Sequence, residues 1–246
     1  MLTKKPHVSI VLPIYNEQTE LRANTLMLHT FLKQHQLPFS WDIVIADNAS
    51  TDQSGCIGRS LDREYDTISY IYIEEKGRGR AVKFAWQQGK ADYFAYMDID
   101  LSTDLRHLPA LIQALMAGYS IAIGSRLLTE SNVSKRPLKR EILSRCYNML
   151  IKLLFQTKFS DAQCGFKAIK KEVWDKISPL IQDNDWFFDS ELLIIADKIG
   201  FKITEVPIVW RDDPASTVKV AKTAWGDIKG LIRLFLTRPW RKLKTG

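Results

Sequence analysis

The sequence predicts an α/β fold built on a doubly wound, mostly parallel sheet. Short β-rich runs alternate with helical patterns through the first half of the chain. The β-rich runs are largely apolar, which is typical of strands buried on both faces between layers of helices. The chain has 246 residues, 46% of them apolar, and only three cysteines. This composition supports a large core and excludes a disordered chain or a disulfide-rich scaffold.

Five β-rich runs and four helical patterns alternate up to residue 124. The predicted strands are residues 8–14, 42–47, 69–74, 93–97 and 120–124. The predicted helices are residues 20–34, 52–63, 79–89 and 104–118. Ligands of such sheets bind at the carboxyl ends of the strands, so functional residues are expected directly after strands.

The second half of the chain predicts a strand at residues 203–210 and two amphipathic helices. The helix at residues 135–155 has an apolar stripe formed by Leu143, Cys146, Tyr147, Leu150, Ile151 and Leu154. The helix at residues 224–236 has a stripe formed by Trp225, Ile228, Leu231, Ile232 and Phe235. Neither a repeat nor a long linker divides the chain, so one continuous fold is expected.

The net charge of +7 is concentrated in these two regions. Residues 219–246 contain eight basic residues and one acidic residue, and residues 126–158 contain eight basic and two acidic ones. A basic amphipathic helix is typical of an anionic membrane surface, and a core-packing helix with a basic outer face gives the same pattern. The motifs of nucleic-acid-binding modules are absent, so we favour a membrane surface over a nucleic acid as the anionic partner.

Two carboxylates follow the fourth predicted strand. If the strand alternation persists, Asp98 and Asp100 face the same site. Carboxylate oxygens are preferred ligands of Mg²⁺ or Mn²⁺, which keep coordination positions for substrate phosphates. A helix N-cap or a solvated acidic turn would produce the same pattern.

Polar segments also follow the first two predicted strands. Residues 13–17 read Pro-Ile-Tyr-Asn-Glu, and residues 47–52 read Asp-Asn-Ala-Ser-Thr-Asp. Their carboxylates and amides suit the base and ribose of a nucleotide. For the second segment, Ser50 or Thr51 is also a candidate cap for a helix that begins near Asp52, and the two interpretations are compatible.

Basic residues lie after further strands. Residues 77–80 read Gly-Arg-Gly-Arg, which is neither a Walker motif nor GxGxxG but suits a diphosphate at a helix start. Arg126 follows the fifth strand and Arg140 lies beyond it, and arginine binds phosphate through a planar fork. A solvated basic helix face is the alternative. Asp189 and Glu191 begin a helical pattern, and spacing alone assigns neither a catalytic role.

Taken in this order, the segments resemble the family 2 inverting glycosyltransferases with the GT-A fold. The likeness is greatest to dolichyl- or polyprenyl-phosphate sugar synthases and runs from about residue 8 to residue 219. It rests on PIYNE, DNASTD, a glycine turn, DIDLS, GSR, and QCGFK with FDSELL. Residues 161–167 resemble the corresponding segment of dolichyl-phosphate glucosyltransferases, which favours UDP-glucose as the donor.

The resemblance implies roles for the candidate residues. The nucleotide-sugar site would comprise Pro13, Tyr15, Glu17, Asp47, Asp98, Arg211 and Ser216. The metal, Mg²⁺ or Mn²⁺, would be held by Asp98 and Asp100. The catalytic residues would be Asp100, Arg126, Arg140 and Asp189. Among these, the two arginines would bind the lipid phosphate or the donor phosphates.

The acceptor class stays open at this point. A phosphate monoester, with a second pKa near ~6, is largely dianionic at neutral pH and needs little help from a base. A sugar hydroxyl, as in polysaccharide or glycolipid synthesis, would need a carboxylate such as Asp189 or Glu191. A GDP-mannose-dependent synthase is a further alternative. The sequence departs from the family pattern at Asn48 and Ala49, and at Ser102 where glutamine is usual.

The resemblance also implies an organisation and a location. We expect a catalytic domain at residues 1–218 and a basic amphipathic segment on the membrane at residues 219–246. No stretch reaches the roughly 18 continuous apolar residues of a membrane span. We therefore expect a cytoplasmic protein held peripherally on the cytoplasmic face of the membrane.

Overall fold

The computed structural model of the chain describes residues 5–212 and 220–244. The strands within these ranges are β1 (His7–Ile14), β2 (Ser40–Asn48), β3 (Ile68–Ile73), β4 (Tyr93–Met97), β5 (Ile121–Ser125), β6 (Asn132–Ser134), β7 (Phe166–Lys170), β8 (Ile203–Pro207) and β9 (Val209–Arg211). The helices are α1 (Leu21–Gln34), α2 (Ser54–Glu64), α3 (Arg78–Gln88), α4 (Leu108–Met116), α5 (Leu138–Phe155), α6 (Lys171–Ile177), α7 (Phe188–Ile199), α8 (Val220–Thr237) and α9 (Arg241–Lys244).

Seven strands form the central sheet in the order β3-β2-β1-β4-β7-β5-β8. β7 runs antiparallel to both of its neighbours, and the other pairs in this sheet are parallel. β6 and β9 form a small parallel sheet. The predicted α/β fold with a mostly parallel sheet is therefore confirmed, and β7 is a reversed strand that the sequence patterns did not indicate.

Apolar layers cover both faces of the central sheet. On one face, Leu28 of α1 and Leu111 of α4 are fully buried against the sheet. On the other face, Trp86 of α3 and Leu192 of α7 lie in a second cluster, which Leu231 of α8 joins. Burying a side chain of this size contributes about 2 kcal/mol to folding. The sheet edge that carries the strand ends is thus held between two packed layers.

The single strand predicted at residues 203–210 is wrong in its extent. β8 pairs with β5 and ends at Pro207, and β9 pairs with β6 in the other sheet. Proline lacks the backbone N–H that a continuing ladder requires. The chain therefore changes sheets at Ile208, and β9 comes to lie beside the loop that follows β4.

The two amphipathic helices are confirmed, but most of each predicted stripe is not the buried face. The residues that α5 buries are Ser144, Asn148, Ile151 and Phe155. Its exposed apolar residues are Leu138, Ile142, Leu143, Met149, Leu150, Leu153 and Leu154. Those of α8 are Trp225, Ile228, Ile232, Phe235 and Leu236. Among the described helices, none combines the length and the apolar character needed to cross a bilayer.

Candidate active site

The loops after β1, β2 and β4 meet at one edge of the sheet, because these strands are parallel neighbours. Each loop turns through a non-glycine residue with positive φ: Asn16 (58°), Ala49 (68°) and Leu101 (49°). This left-handed conformation costs a side-chain-bearing residue free energy and is concentrated at functional sites. The three strained turns therefore mark this edge as the candidate active site.

Hydrogen bonds between the first two loops fix them against each other. The backbone N–H of Asn16 donates to Ser50 Oγ (2.9 Å), and Asn16 Oδ1 accepts from the N–H of Thr51 (2.8 Å). At the start of α2, the carboxylate of Asp52 accepts from the N–H of Ser54 (2.9 Å). The interpretation of Ser50 or Thr51 as a helix cap is therefore wrong, since both residues bond across the loops.

Asn48 joins three segments of the site. Its Nδ2 donates to the carbonyl of Ile14 (2.5 Å), and its Oδ1 accepts from the N–H of Gly77 (3.1 Å). An ionised aspartate accepts hydrogen bonds but cannot donate them. The asparagine at this position thus ties β1, β2 and the glycine turn together, which explains the departure from the family pattern.

The predicted nucleotide-site residues of the first loop differ in exposure. Pro13 is buried in β1, whereas Tyr15 is exposed and Glu17 partly exposed. The Lys76 ammonium lies 4.3 Å from the ring centroid of Tyr15 and contacts its hydroxyl. The backbone N–H of Glu17 donates to Ser54 Oγ (2.8 Å). The Tyr15 ring and its neighbouring cation are therefore accessible from solvent.

Asp47 is fully buried at the end of β2. Its carboxylate accepts from the N–H of Ser50 (2.8 Å) and from the hydroxyl of Tyr70 (2.8 Å). Burial and this carboxylate raise the pKa of the Tyr70 hydroxyl, which stays protonated as a donor. Both carboxylate oxygens of Asp47 therefore accept hydrogen bonds that stabilise the loop after β2.

Arg78 links the candidate metal ligand to the candidate base. Its guanidinium donates from Nε (3.1 Å) and Nη2 (2.6 Å) to Asp98 Oδ1, and from Nη1 (2.7 Å) to Asp189 Oδ2. The guanidinium carbon lies 5.1 and 5.2 Å from the ring centroids of Tyr96 and Trp186. The Gly-Arg-Gly-Arg turn signalled a basic residue here, but its bridging role was not predicted.

The carboxylate of Asp189, at the start of α7, is occupied on both oxygens. Besides the bond from Arg78, Oδ1 accepts from Lys167 Nζ (2.7 Å) and from the hydroxyl of Tyr96. Burial would raise the pKa of Asp189, but Lys167 and Arg78 outweigh it and hold the pKa below its usual value. Asp189 is therefore an ionised, weakly basic carboxylate between two cations.

Glu191, the other candidate base, lies on the same helix but serves the preceding loop. Its buried carboxylate accepts from the backbone N–H groups of Gln182 (3.1 Å) and Asp183 (2.7 Å). Arg233 of α8 lies 2.8 Å from it. These contacts give Glu191 an organising role in the loop before α7.

Asp98 packs directly against Gly165, where only a glycine leaves room for its carboxylate. A Cβ on Gly165 would lie 1.9 Å from Asp98 Oδ2. Asp100 Oδ1 accepts from the N–H of Ser102 (2.9 Å). Within the described residues, no group of three or more His, Cys, Asp or Glu side chains could hold a metal ion. Two carboxylates fit Mg²⁺ or Mn²⁺ nonetheless, because such an ion completes its shell with water and substrate phosphates.

Arg126 follows β5 and forms a bidentate pair with Asp161. Nε donates to Oδ2 (2.8 Å) and Nη2 to Oδ1 (2.9 Å), and the backbone N–H of Arg126 also donates to Oδ2 (3.0 Å). Although burial raises the pKa of a carboxyl, Arg126 lowers the pKa of Asp161 to about 2. The ionised aspartate fixes the orientation of the guanidinium.

Further arginines lie beside Arg126. The side chain of Arg136 is 8% exposed and lies 3.0 Å from Glu141. Burial and the charge of Arg126 lower the pKa of Arg136. Arg140 donates to Asp212 Oδ2 (3.0 Å). Each of these guanidinium groups is paired with a carboxylate, and its remaining N–H donors suit an anion such as phosphate.

Of the last two predicted nucleotide-site residues, Arg211 and Ser216, the structure describes Arg211, at the end of β9. The N–H of Arg211 donates to the carbonyl of Ser102 (2.9 Å), so β9 adjoins the loop that contains Asp100. The side chain of Arg211 is exposed. Ser216 lies outside the described residues.

Comparison with known proteins identifies the family. The sequence model of glycosyl transferase family 2 matches residues 9–178. The chain belongs to glycosyl transferase family 2. The resemblance drawn from the motifs is therefore confirmed, and the matched range contains Asp98, Asp100 and Arg126.

Named relatives within the family include archaeal and eukaryotic enzymes. The chain is 34% identical over 240 residues to the glycosyltransferase AglD of Haloferax volcanii, and the alignment covers 95% of this chain and 37% of AglD. It is 27% identical over 233 residues to a dolichyl-phosphate beta-glucosyltransferase of Saccharomyces cerevisiae, covering 87% of this chain and 70% of that protein. The chain thus spans little more than a third of the length of AglD.

Solved structures of glucosyl-3-phosphoglycerate synthase from Mycobacterium tuberculosis share the fold. The complex with UDP has a TM-score of 0.68 at 16% identity and covers 95% of this chain and 80% of that one. The complex with Mn²⁺, UDP and phosphoglyceric acid has a TM-score of 0.67 at 15% identity, covering 96% and 78%. These likenesses confirm the GT-A architecture.

Proposed function

We propose that this chain is an inverting glycosyltransferase that moves a hexose from a nucleotide sugar to a polyprenyl or dolichyl phosphate. UDP-glucose is the favoured donor. The observation that carries the choice of acceptor is the occupied carboxylate of Asp189. A general base works best with a pKa near the working pH, whereas Asp189 is held between two cations, accepts hydrogen bonds from Arg78, Lys167 and Tyr96, and has a lowered pKa.

A phosphate acceptor brings its own anionic nucleophile and needs no such base. Its oxygen would attack the anomeric carbon as the bond to the donor diphosphate breaks, which converts an α-linked donor into a β-linked lipid phosphate sugar. Arg126, with Arg136 and Arg140 nearby, would bind the acceptor phosphate or the donor phosphates. Each of these arginines is paired with a carboxylate, and a guanidinium has five N–H donors, so the donors that remain support an anionic acceptor over a sugar hydroxyl.

The donor diphosphate would lie at the carboxyl edge of β4. Asp98 and Asp100 would hold Mg²⁺ or Mn²⁺, which when bound neutralises charge developing on the leaving diphosphate. Arg78 keeps Asp98 oriented. The proposed nucleotide site comprises Pro13, Tyr15, Glu17, Asp47, Asp98, Arg211 and Ser216. Support for UDP-glucose comes from the yeast relative, named as a beta-glucosyltransferase, and from the mycobacterial complexes with UDP and Mn²⁺.

We also propose that α5 and α8 face an anionic membrane, which holds the protein peripherally at the cytoplasmic surface. Both helices carry exposed apolar residues, and α5 and α8 pack together. Exposed cations lie on the same helices: Lys139, Arg145, Lys152 and Lys229. Apolar residues flanked by cations favour the boundary of an anionic bilayer. Residues 1–218 would be the catalytic domain and residues 219–246 the membrane-surface segment.

The test is a transfer assay with matched acceptors. The protein is incubated with Mn²⁺, radiolabelled UDP-glucose or GDP-mannose, and vesicles that contain either polyprenyl phosphate or the corresponding polyprenol. We expect lipid-extractable label from UDP-glucose with the phosphate and none with the alcohol. Label from GDP-mannose alone would make the chain a mannose synthase. No lipid-extractable label from either donor in vesicles with the phosphate would refute the lipid-phosphate acceptor.

A further inference from the structure

A buried carboxylate on α8 is used by none of the steps above. Asp227 is 3% exposed, and its Oδ2 accepts a hydrogen bond from Gln163 Nε2 (2.7 Å). Within the part of the chain that the structure describes, Oδ1 of Asp227 is buried without a hydrogen-bond partner. Because buried polar atoms are almost always hydrogen-bonded, an unpaired oxygen of this kind points to a ligand or an ordered water.

Gln163 places this carboxylate beside the active site. It lies in the loop at residues 161–165, which begins at the partner of Arg126 and ends against the candidate metal ligand. At the far end of the loop, the carbonyl of Gly165 accepts from the N–H of Asp98 (3.2 Å). The Asp227–Gln163 pair therefore adjoins the segment between the candidate phosphate and metal sites.

Close packing holds α8 in this position. A Cβ on Gly230 would lie 2.2 Å from the ring of Phe187, so the glycine lets α8 approach the chain just before α7. Three residues further along, Arg233 reaches Glu191 (2.8 Å). The contacts with Phe187 and Glu191 therefore hold the helix that carries Asp227 against α7 and the segment just before it.

The surroundings of Asp227 favour a hydroxyl as the missing partner. The pKa of Asp227 is raised to about 7, mainly by burial. The hydrogen bond from Gln163 lowers this pKa, and the nearby charges of Asp183 and Asp189 raise it. Burial, and after it the charge of Asp227, raise the pKa of the Tyr147 hydroxyl on α5. These carboxylates would repel a phosphate. A hydroxyl can donate to an ionised carboxylate and accept from a protonated one, so it pairs with either form.

We propose that Asp227 and Gln163 form a hydroxyl-binding subsite for the sugar of the donor. This inference rests on the proposed function, which supplies a substrate rich in hydroxyls. A buried site built to hydrogen-bond a hydroxyl rejects an analogue that lacks it. The subsite would therefore make α8 a determinant of which hexose is accepted.

Binding measurements separate this role from a structural one. Calorimetric titration of the full chain in Mn²⁺ with UDP and with UDP-glucose gives the contribution of the sugar. We expect Asp227→Leu, which keeps the size but has no polar atom, to weaken UDP-glucose about three- to tenfold, the range for one lost hydrogen bond, and to leave UDP unchanged. Asp197→Leu, a control on α7 whose pKa burial also raises, should alter neither. Equal changes for UDP and UDP-glucose would assign Asp227 a structural role and overturn the proposal.

A panel of UDP-glucose analogues, each lacking one hydroxyl, identifies the contact. One analogue should bind the wild type more weakly, and that loss should shrink in Asp227→Leu because the two changes remove the same interaction. Gln163→Leu gives the same readout if the first variant fails to fold. Undiminished losses for every analogue mean that only water fills the subsite, which overturns the proposal. A wild type that binds neither UDP nor UDP-glucose refutes the proposed function instead.

Discussion

Arg126 and Asp161 form a bidentate pair in which two guanidinium nitrogens reach separate oxygens of one fully buried carboxylate. Because of this pair, the free energy of unfolding depends on pH in the acidic range. The pKa of Asp161 is about 2 in the folded chain, against an ordinary value of 3.8. Its stabilising contribution, about 2 kcal/mol, is complete above the unfolded value and is lost as the pH falls through the folded one.

We therefore expect the destabilisation caused by Asp161→Asn to shrink in acid. The difference in unfolding free energy from wild type should fall by about 1 kcal/mol between pH 6 and pH 3, because the unfolded carboxyl of the wild type takes up a proton in that interval. Urea unfolding followed by circular dichroism measures it. Asp62→Asn, at an exposed position, is the control. A difference independent of pH would contradict the assignment.

The pH dependence of transfer tests the role of Asp189. With a phosphate acceptor, the rate should fall below about pH 6 as the monoester gains a proton. Asp189→Asn should lower the rate and the stability, since Lys167 and Arg78 lose the charge between them. It should nonetheless keep the same acidic limb in a plot of rate against pH. Loss of that limb in the variant would show that Asp189 is the base.

Gly165→Ala tests the close approach of the loop to Asp98. The added methyl would lie 1.9 Å from Asp98 Oδ2 and must displace the carboxylate. We expect Mn²⁺-dependent binding of UDP to weaken at least tenfold, measured by calorimetry. Gly226→Ala is the matched control, since a Cβ there meets nothing within 4 Å. Unchanged binding in Gly165→Ala would separate Asp98 from the metal site.

Ile232→Glu tests the membrane surface. Ile232 is 54% exposed on α8, and burial of its side chain in a bilayer is worth about 2 kcal/mol. The variant should bind vesicles containing anionic lipid at least tenfold more weakly in a cosedimentation assay, with unchanged thermal stability. Met27→Glu places the same charge at an exposed apolar position on α1 and should bind like wild type. Equal binding by both variants would move the contact surface elsewhere.

Alternation of β-rich and helical patterns predicted the architecture well. Strands that are apolar on both faces are buried in a parallel sheet, and four of the first five predicted strands lie within one or two residues of those observed, with the remaining one, β4, matching at both ends. The reversed strand β7 was missed because direction along a sheet depends on distant partners. The exposure of the apolar stripe of α5 could not be predicted either, because the spacing of apolar residues does not indicate which face of a helix packs against the core.

The carboxylates and arginines of the candidate site could be predicted from the sequence, because they follow strands. The hydrogen bonds and ion pairs between these side chains could not. Tyr96 and Lys167 meet Asp189 because they are opposite residues of the antiparallel pair β4 and β7. Arg78 reaches both Asp98 and Asp189 from the start of α3. Such contacts join residues far apart in sequence, so only the folded chain reveals them.

The insertion of β7 between β4 and β5 has a consequence for how the chain folds. β4 is complete early in synthesis, yet its antiparallel partner arrives much later, with Phe166 opposite Met97. Until then β4 is an open edge, which invites pairing with another chain. Long-range pairing of this kind is slow, so assembly of the Asp189 network must wait for the second half of the chain to be made.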